Sequence, residues 1–524
     1  MGELKDGMNA EAARGRATAR LEEHFWDLVV IGGGITGAGV AQQAAHRGWK
    51  VLLVEQRDFA WGSSSRSSKL VHGGMRYLME GDIKATLHSV RERQRLLREA
   101  PELIEPQSFL FANYTGIRSE HWLFQAGLKI HDLMAGERSH FYANQADTQA
   151  LAPGLNPPGL RGSLVYQDAK TDDARLVWRV LQQAQDDGAT TLNYVVAQEL
   201  TLNAGRVVEV KLQDVTNGKI YNVQAKTVVN AAGAWGDRLR AGLGAKPMLH
   251  PLRGSHLIVP FWRMPVAQGI SLMHPQDDQP VFLYPWEGCV LIGTTYLNHR
   301  DSLDLEASIT PAEVDYLLCA VNHQFPAAKL TASDISACYA GVRPVLNDDS
   351  HVVLNESGLI TLVGGKLTTF RLMAQDALAL AAKYVGKPFR RDDARVFSPS
   401  STLPPHWNTA VCSRLRARYG HRAQELSAHA TEANLQTVLG TNTLWLELII
   451  AAQHEAIVHL DDLLLRRTRL GLLLPRGALD HLDHIRTLCQ PHLAWNAKKW
   501  DNEIARYRAI IAAHYQLPAI RLPT

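Results

Sequence analysis

The chain has 524 residues, 46% of them hydrophobic and 20% charged, with a formal net charge of +3; this is an ordinary globular balance at a length that suits roughly two to four domains with large cores. So nearly neutral a chain offers no electrostatic footprint for nucleic acid, and no apolar run reaches the roughly 18 residues of a membrane-spanning helix. Cys289, Cys319, Cys338, Cys412 and Cys489 are odd in number and lack C-x-x-C spacing, which argues against a disulfide framework or a zinc site and sets a reducing compartment as the expectation.

Residues 1–25 mix acids and bases without an apolar signal core and read as a polar extension, with a short helix near Glu11–Glu23. Asp27–Glu55 is the most informative stretch. The apolar run Leu28-Val29-Val30-Ile31 reads as a buried parallel strand and leads into Gly32, Gly34 and Gly37 in G-x-G-x-x-G spacing. A helical segment, Ala38–Arg47, is stopped by Gly48, and a second strand, Val51–Val54, ends on Glu55. This is a complete βαβ dinucleotide fingerprint. Its first glycine serves the tight turn, its second the approach of a pyrophosphate, and its third the packing of helix on strand. The helix N-terminus offers free N–H groups to phosphate. Glu55 is placed to accept from a ribose 2′-OH and disfavours a 2′-phosphate, so NADP is not expected.

Ser63–Leu78 follows, dense in hydroxyls, glycines and bases, and its apolar-basic ending is unusual for a solvated loop. Ile83–Ala100 reads as a charged helix whose Arg91, Arg93, Arg95 and Arg98 spread around its circumference and read mostly as solvated surface. A helix is expected around Glu120–Met134, a strand over Gly162–Gln167, and a helix over Ala174–Ala184 for which Asp172-Asp173 suffice as caps. Thr191–Val196, Arg206–Gln213 and Lys219–Gln224 read as sheet strands, the last two joined at an Asn217-Gly218 turn.

Thr227–Trp235 is a buried strand that ends in small residues, so a cofactor could lie across its carboxyl end. Together with the N-terminal fingerprint it favours FAD over NAD. From His250 the pattern turns β-rich, with strands at Gly254–Val259, Val281–Trp286 and Val290–Thr295, before a helix at Pro311–His323. The chain is expected to return to the nucleotide domain at Tyr339–Pro344, then to run through a strand at Gly358–Val363, the turn Gly364–Thr369 and a helix at Phe370–Tyr384. A Ser/Pro-rich loop, Phe397–Pro405, precedes helical patterns at Trp407–Tyr419, Leu444–Leu473 and Ala494–Tyr515. Asp461–Arg469 reads as a charged helix end, with a partner or membrane surface as the second reading.

The motifs Gly32–Gly39, Ser67–Leu78, Asp172–Leu176, Gly341–Pro344, Gly364–Thr369 and Asp461–Arg469 together resemble the FAD-dependent, aerobic glycerol-3-phosphate dehydrogenase family, over about residues 26–475. The fold expected is α/β: a Rossmann-like FAD-binding domain (26–100, 160–247 and 340–390), an inserted antiparallel β-rich substrate domain (101–159 and 248–339), and a C-terminal α-helical domain (400–524). The resemblance implies oxidation of sn-glycerol 3-phosphate to dihydroxyacetone phosphate by hydride transfer to flavin N5. It further implies electron transfer to a membrane quinone, a peripheral location on the cytoplasmic face of the cell membrane, and a possible homodimer. A same-fold oxidase or dehydrogenase of another hydroxy or amino acid is the alternative.

FAD contacts are expected from Gly32, Gly34, Ile35, Thr36, Gly37, Glu55 and Gln56; from Ser63, Ser64, Ser67, Ser68, Lys69, His72, Gly73 and Gly74; and from Val196, Ala232, Gly233, Trp235, Gly365, Lys366, Leu367 and Thr368. Arg76 and Tyr77 match positions that meet the substrate; Lys366 and Thr369 complete its contacts. His256 is the expected proton acceptor, and Arg343 orients the alcohol and stabilises the alkoxide. Family members often carry an Arg shortly after the Arg-Pro dipeptide. Here Asn347-Asp348-Asp349-Ser350-His351 has acids instead, which puts the substrate's phosphate in question.

Overall fold

The structure, a computed structural model, describes residues 10–74, 82–115, 140–346 and 352–518. The expected helix near Glu120–Met134, the substrate residues Arg76 and Tyr77, and the Asn347–His351 stretch lie outside them.

The fingerprint strand, Leu28–Ile31, is buried along its whole length and pairs in parallel with Val51–Val54 on one side and Val228–Asn230 on the other. It is an inner strand of a six-stranded sheet, which runs Val352–Glu356, Leu359–Val363, Val228–Asn230, Leu28–Ile31, Val51–Val54, Thr190–Leu192. Only the edge strand Val352–Glu356 is antiparallel. Alternate side chains serve opposite faces. Leu28 and Val30 join a core with the helices Ile35–Ala45, Asp173–Asp186 and Phe370–Val385. Val29 and Ile31 pack on the other face, against a three-stranded antiparallel sheet (Val195–Asn203, Arg206–Asp214, Ile220–Gln224) and Leu21 of the N-terminal helix, Ala10–Glu23. Covering both faces is what permits the continuous apolar runs of a parallel sheet. The expected strand over Thr191–Val196 is two strands, because Tyr194 adopts φ 56° and turns the chain from one sheet to the next.

The antiparallel domain is a nine-stranded sheet. Two expected boundaries move. Leu160–Thr171 pairs with Ile104–Tyr114, and Ala337–Val345 pairs with His250–Pro260. Both strands had been assigned to the nucleotide domain, and their hydrogen-bond ladders place them in the second sheet instead. The long His250–Pro260 strand splits its side chains in the same alternating way. Leu257 and Val259 face a core with the helix Pro311–Gln324, while Gly254 and His256 face a cleft toward the nucleotide domain.

Four further expectations change. Leu444–Leu473 is not one helix but Trp445–His454, Asp462–Arg467 and Leu470–Leu473, with Ala456 and Arg469 at positive φ between them. Asp461–Arg469 is neither a solvated helix end nor a surface for a partner, since no residue in it is more than 2% exposed. Its charges are paired inside the protein. Arg467 makes two hydrogen bonds of 2.8 Å to Asp58, Arg466 reaches Asp58 and Asp461, and Arg469 donates to Asp172 at 2.9 Å and to Asp173. Asp172 does cap the helix Asp173–Asp186 through the Arg175 N–H, but it also accepts from Arg418 at 2.7 Å, so capping is only part of its role. Among the four arginines of Ile83–Glu99, Arg93 is buried and donates to Gln167 O and Asp168.

Removing one partner of a buried ion pair leaves an uncompensated charge and costs about 3–5 kcal/mol. Asp58→Ala is therefore expected to lower the denaturant midpoint by that order, with the loss appearing in the helical domain that supplies Arg466 and Arg467. An unchanged midpoint would contradict the role assigned to this carboxylate.

Candidate active site

A continuous cleft of about 510 Å³ runs along the carboxyl ends of the parallel strands and under the second sheet. In open α/β sheets this is where ligands bind. At one end, Gly32 has φ 116°, and a Cβ there would stand 2.3 Å from Ala231 O, so only glycine lets the ends of the strands Leu28–Ile31 and Val228–Asn230 approach. The helix Ile35–Ala45 begins at Gly34 without a side-chain cap, and Ser64 Oγ accepts from Ile35 N–H at 3.0 Å. The remaining N–H groups of the first turn are the donors a pyrophosphate needs. Glu55 accepts from Gly33 N–H at 2.7 Å and Arg57 N–H at 2.9 Å. Burial pushes its carboxyl above the ordinary value, against those two backbone bonds.

At the other end, four elements converge. His256, 3% exposed, lies on the strand His250–Pro260 opposite Tyr339, whose ring stacks on it at 4.7 Å between centroids and 13° between planes. Its Nε2 is 2.9 Å from Ser68 Oγ, and its Nδ1 has no hydrogen-bond partner among the described residues. Burial, then the charges of Lys69 and Arg343, hold the imidazole well below the usual histidine range, so it is neutral near pH 7. Arg343 is half-buried on the same face as Tyr339, two alternations along, with its guanidinium over the Tyr296 ring at 5.2 Å. Between them Gly254 pairs with Gly341. A Cβ on Gly254 would meet Thr294 Oγ1 at 2.5 Å, and one on Gly341 would meet Arg66 O at 2.7 Å. This glycine pair lets Thr294 and the Arg66 backbone pack closely between the imidazole and the guanidinium, and both glycines lie on the cleft wall. Lys366 adds a second cation from the turn Gly364–Thr369, where Gly364 and Gly365 take φ 74° and 84°.

Of the residues expected in the site, Gly32, Gly34, Ile35, Thr36, Glu55, Gln56, Ser63, Ser64, Ser67, Ser68, His72, Val196, Ala232, Gly233, Trp235, His256, Arg343, Gly365, Lys366, Leu367 and Thr368 line the cleft. Five others do not. Gly37 packs the helix onto the fingerprint strand, where a Cβ would fall 1.9 Å from Gly32 O. Lys69 turns its fully buried ammonium away, to Ser65 O at 3.0 Å and the Asp173 carboxylate at 3.1 and 3.2 Å. Gly73 donates its N–H to Asp168, and Gly74 packs on Ser89. Thr369 stands at the N-terminus of the helix Phe370–Val385. Sequence reasoning missed Trp61, Arg66, Gly254 and Thr294 on the wall. Gly254 carried a usable signal, a glycine two residues before the key histidine in an otherwise side-chain-rich strand.

Comparisons with known proteins agree with this geometry. The family profile described as FAD dependent oxidoreductase matches residues 27–378, and that described as the C-terminal domain of alpha-glycerophosphate oxidase matches residues 358–500. The aerobic glycerol-3-phosphate dehydrogenase of Staphylococcus aureus (strain bovine RF122 / ET3-1) is 32% identical over 509 residues, covering 89% of this chain and 90% of that protein. The crystal structure of the glycerol-3-phosphate dehydrogenase from Bacillus halodurans complexed with FAD superposes with a TM-score of 0.80 at 26% identity, over 98% of this chain and all of the other. Glycine oxidase from Geobacillus kaustophilus shares the fold at 19% identity and a TM-score of 0.56, over 74% of this chain and all of that one.

The cofactor is FAD, and the cleft fits it: a glycine cradle with an uncapped helix N-terminus, Glu55 for a ribose, and Lys366 at the far end. Gly32→Ala is expected to leave the purified protein with little bound flavin, read from the ratio of visible to ultraviolet absorbance. Full flavin content in that variant would contradict the cradle.

Proposed function

From the premise that the chain belongs to the FAD-dependent oxidoreductase family and, within it, to the aerobic glycerol-3-phosphate dehydrogenases, we propose that it oxidises sn-glycerol 3-phosphate to dihydroxyacetone phosphate and delivers the electrons to a membrane quinone. The observation that carries this reading is a neutral, buried His256 sharing one sheet face and one cleft wall with Arg343. Bound FAD supplies the acceptor for the hydride that leaves the alcohol carbon. His256 takes the hydroxyl proton, which needs a free ring nitrogen and a ring not already protonated. Arg343 donates to the alcohol oxygen and stabilises the developing alkoxide. Lys366 places positive charge where the reduced ring system gains negative charge. Arg76, Tyr77 and Thr369 hold the rest of the substrate, a role that rests on the family resemblance.

Quinone reduction calls for membrane contact. Among the described residues no helix is long and apolar enough to cross a membrane, so the proposed attachment is peripheral, on the cytoplasmic face, with a homodimer as the proposed assembly. Active enzyme should co-sediment with membrane vesicles; complete recovery in the soluble fraction at low salt would oppose this.

Anaerobic mixing with sn-glycerol 3-phosphate should bleach the flavin absorbance, while glycerol, lactate and amino acids should not. His256→Ala should slow the bleaching by about 10²–10⁴, and Arg343→Ala should also slow it. The imidazole is held well below its ordinary value, so the wild-type rate should stay level down to about pH 6.5 and fall only at more acid pH, as the ring gains a proton. Bleaching by an amino acid but not by glycerol 3-phosphate would sink the proposal. Stoichiometric hydrogen peroxide would point to an oxidase.

A further inference from the structure

Resting on that reading, we propose that Ser68 is a catalytic residue: its hydroxyl is the relay through which the substrate's hydroxyl proton reaches Nε2 of His256. His256 is almost wholly enclosed, and its buried Nδ1 has no hydrogen-bond partner among the described residues. Gly293 closes the Cδ2 edge so tightly that a Cβ there would lie 2.2 Å from that atom. Among the described residues, only Nε2 of the two ring nitrogens has a polar connection, 2.9 Å to Ser68 Oγ. Ser68 is only half-buried and stands on the cleft wall. The path from the cleft to the base thus runs through this hydroxyl.

The serine is held in place from both sides. Tyr284 OH donates to Ser68 O, and Tyr339 OH donates to the preceding carbonyl, Ser67 O, at 2.8 Å. Burial keeps both phenols far above their ordinary range, so they remain donors. The Asp173 carboxylate accepts from Ser67 N–H at 3.1 Å and Ser67 Oγ–H at 2.7 Å. With its backbone clamped, Ser68 retains rotation of the O–H bond, which is the freedom a relay uses.

The step balances. The substrate O–H bond breaks and its proton bonds to Ser68 Oγ as the Ser68 O–H proton bonds to Nε2; the hydride from the same carbon goes to FAD. The charged groups acting on the ring are Lys69, itself paired with Asp173, and Arg343, with the neutral Tyr339 phenol stacked on it.

The test compares Ser68→Thr with Ser68→Val in the flavin-loaded full chain, since the two share bulk and differ in the hydroxyl. Thr should keep the rate of anaerobic bleaching by sn-glycerol 3-phosphate within about tenfold. Val should lower the rate per bound flavin by about 10² or more, with the acid limb of the pH profile gone, because the base is disconnected. Adding His256→Ala to Ser68→Val should cost less than about threefold more, since residues acting in one chain are not additive. A Val variant with the wild-type rate and acid limb, or a double variant with additive losses, overturns the relay. Neither result touches the proposed reaction, which fails separately if the wild-type flavin is not bleached.

Discussion

A lattice of buried charges ties the helical C-terminal domain to the flavin domain, and the site hangs from it. Asp58, Asp461 and Asp462 meet Arg466 and Arg467 with no water-exposed side among them, and Arg506 closes the edge on Asp461. In a second cluster, Asp172 and Asp173 meet Lys69, Arg418 and Arg469. Taking so many ions out of water costs several kcal/mol for each ion. The cost is met only because carboxylates and cations come in near-equal number and bidentate geometry satisfies most donors. The balance is not perfect. Burial, and then Asp58 beside it, push the Asp462 carboxyl up to about 6. Such a lattice adds little net stability over an apolar core, but it tolerates only one register of helix against sheet.

That register matters because the lattice acids lie next to the site residues in sequence. Asp58 is three positions beyond Glu55, which lines one end of the cleft. Asp173 takes Arg469 on one side and Ser67 and Lys69 on the other, so the segment that carries Ser68 is fixed between a C-terminal arginine and the tyrosines of the antiparallel sheet. Three regions of the chain, each with its own core, therefore converge on one loop. The cleft lies where the parallel sheet ends, and the second sheet roofs it with His256 and Arg343. The C-terminal family profile covers Arg469, which reaches this loop through Asp173, and this gives the helical domain a physical task beside the active site.

How far the sequence was legible depended on whether the relevant interaction was local. Leu28–Glu55 was readable because turn, helix start and strand alternation are set by neighbours a few residues apart, and its glycines have steric reasons visible in the spacing. His256 and Arg343 came from motif resemblance, and the sheet then set them on one face. Lys69 and Arg93 were misread because a long basic side chain looks the same in sequence whether it faces water or a buried carboxylate. Their partners, Asp173 and Asp168, are 104 and 75 residues away. Leu160–Thr171 was assigned to the wrong sheet for a related reason: a strand's alternation does not name its partner.

By itself, the sequence determined the dinucleotide fingerprint, the alternation between parallel α/β and antiparallel segments, and the helical C-terminal domain, all consequences of periodicity, glycine sterics and turn chemistry. Tertiary structure alone decided that Asp461–Arg469 faces inward, that Ser68 meets His256, and that His256 and Arg343 share one sheet face. Each of these depends on a contact between distant segments, and the energy of a buried charge or of a sealed imidazole is fixed by what surrounds it rather than by what precedes it in the chain.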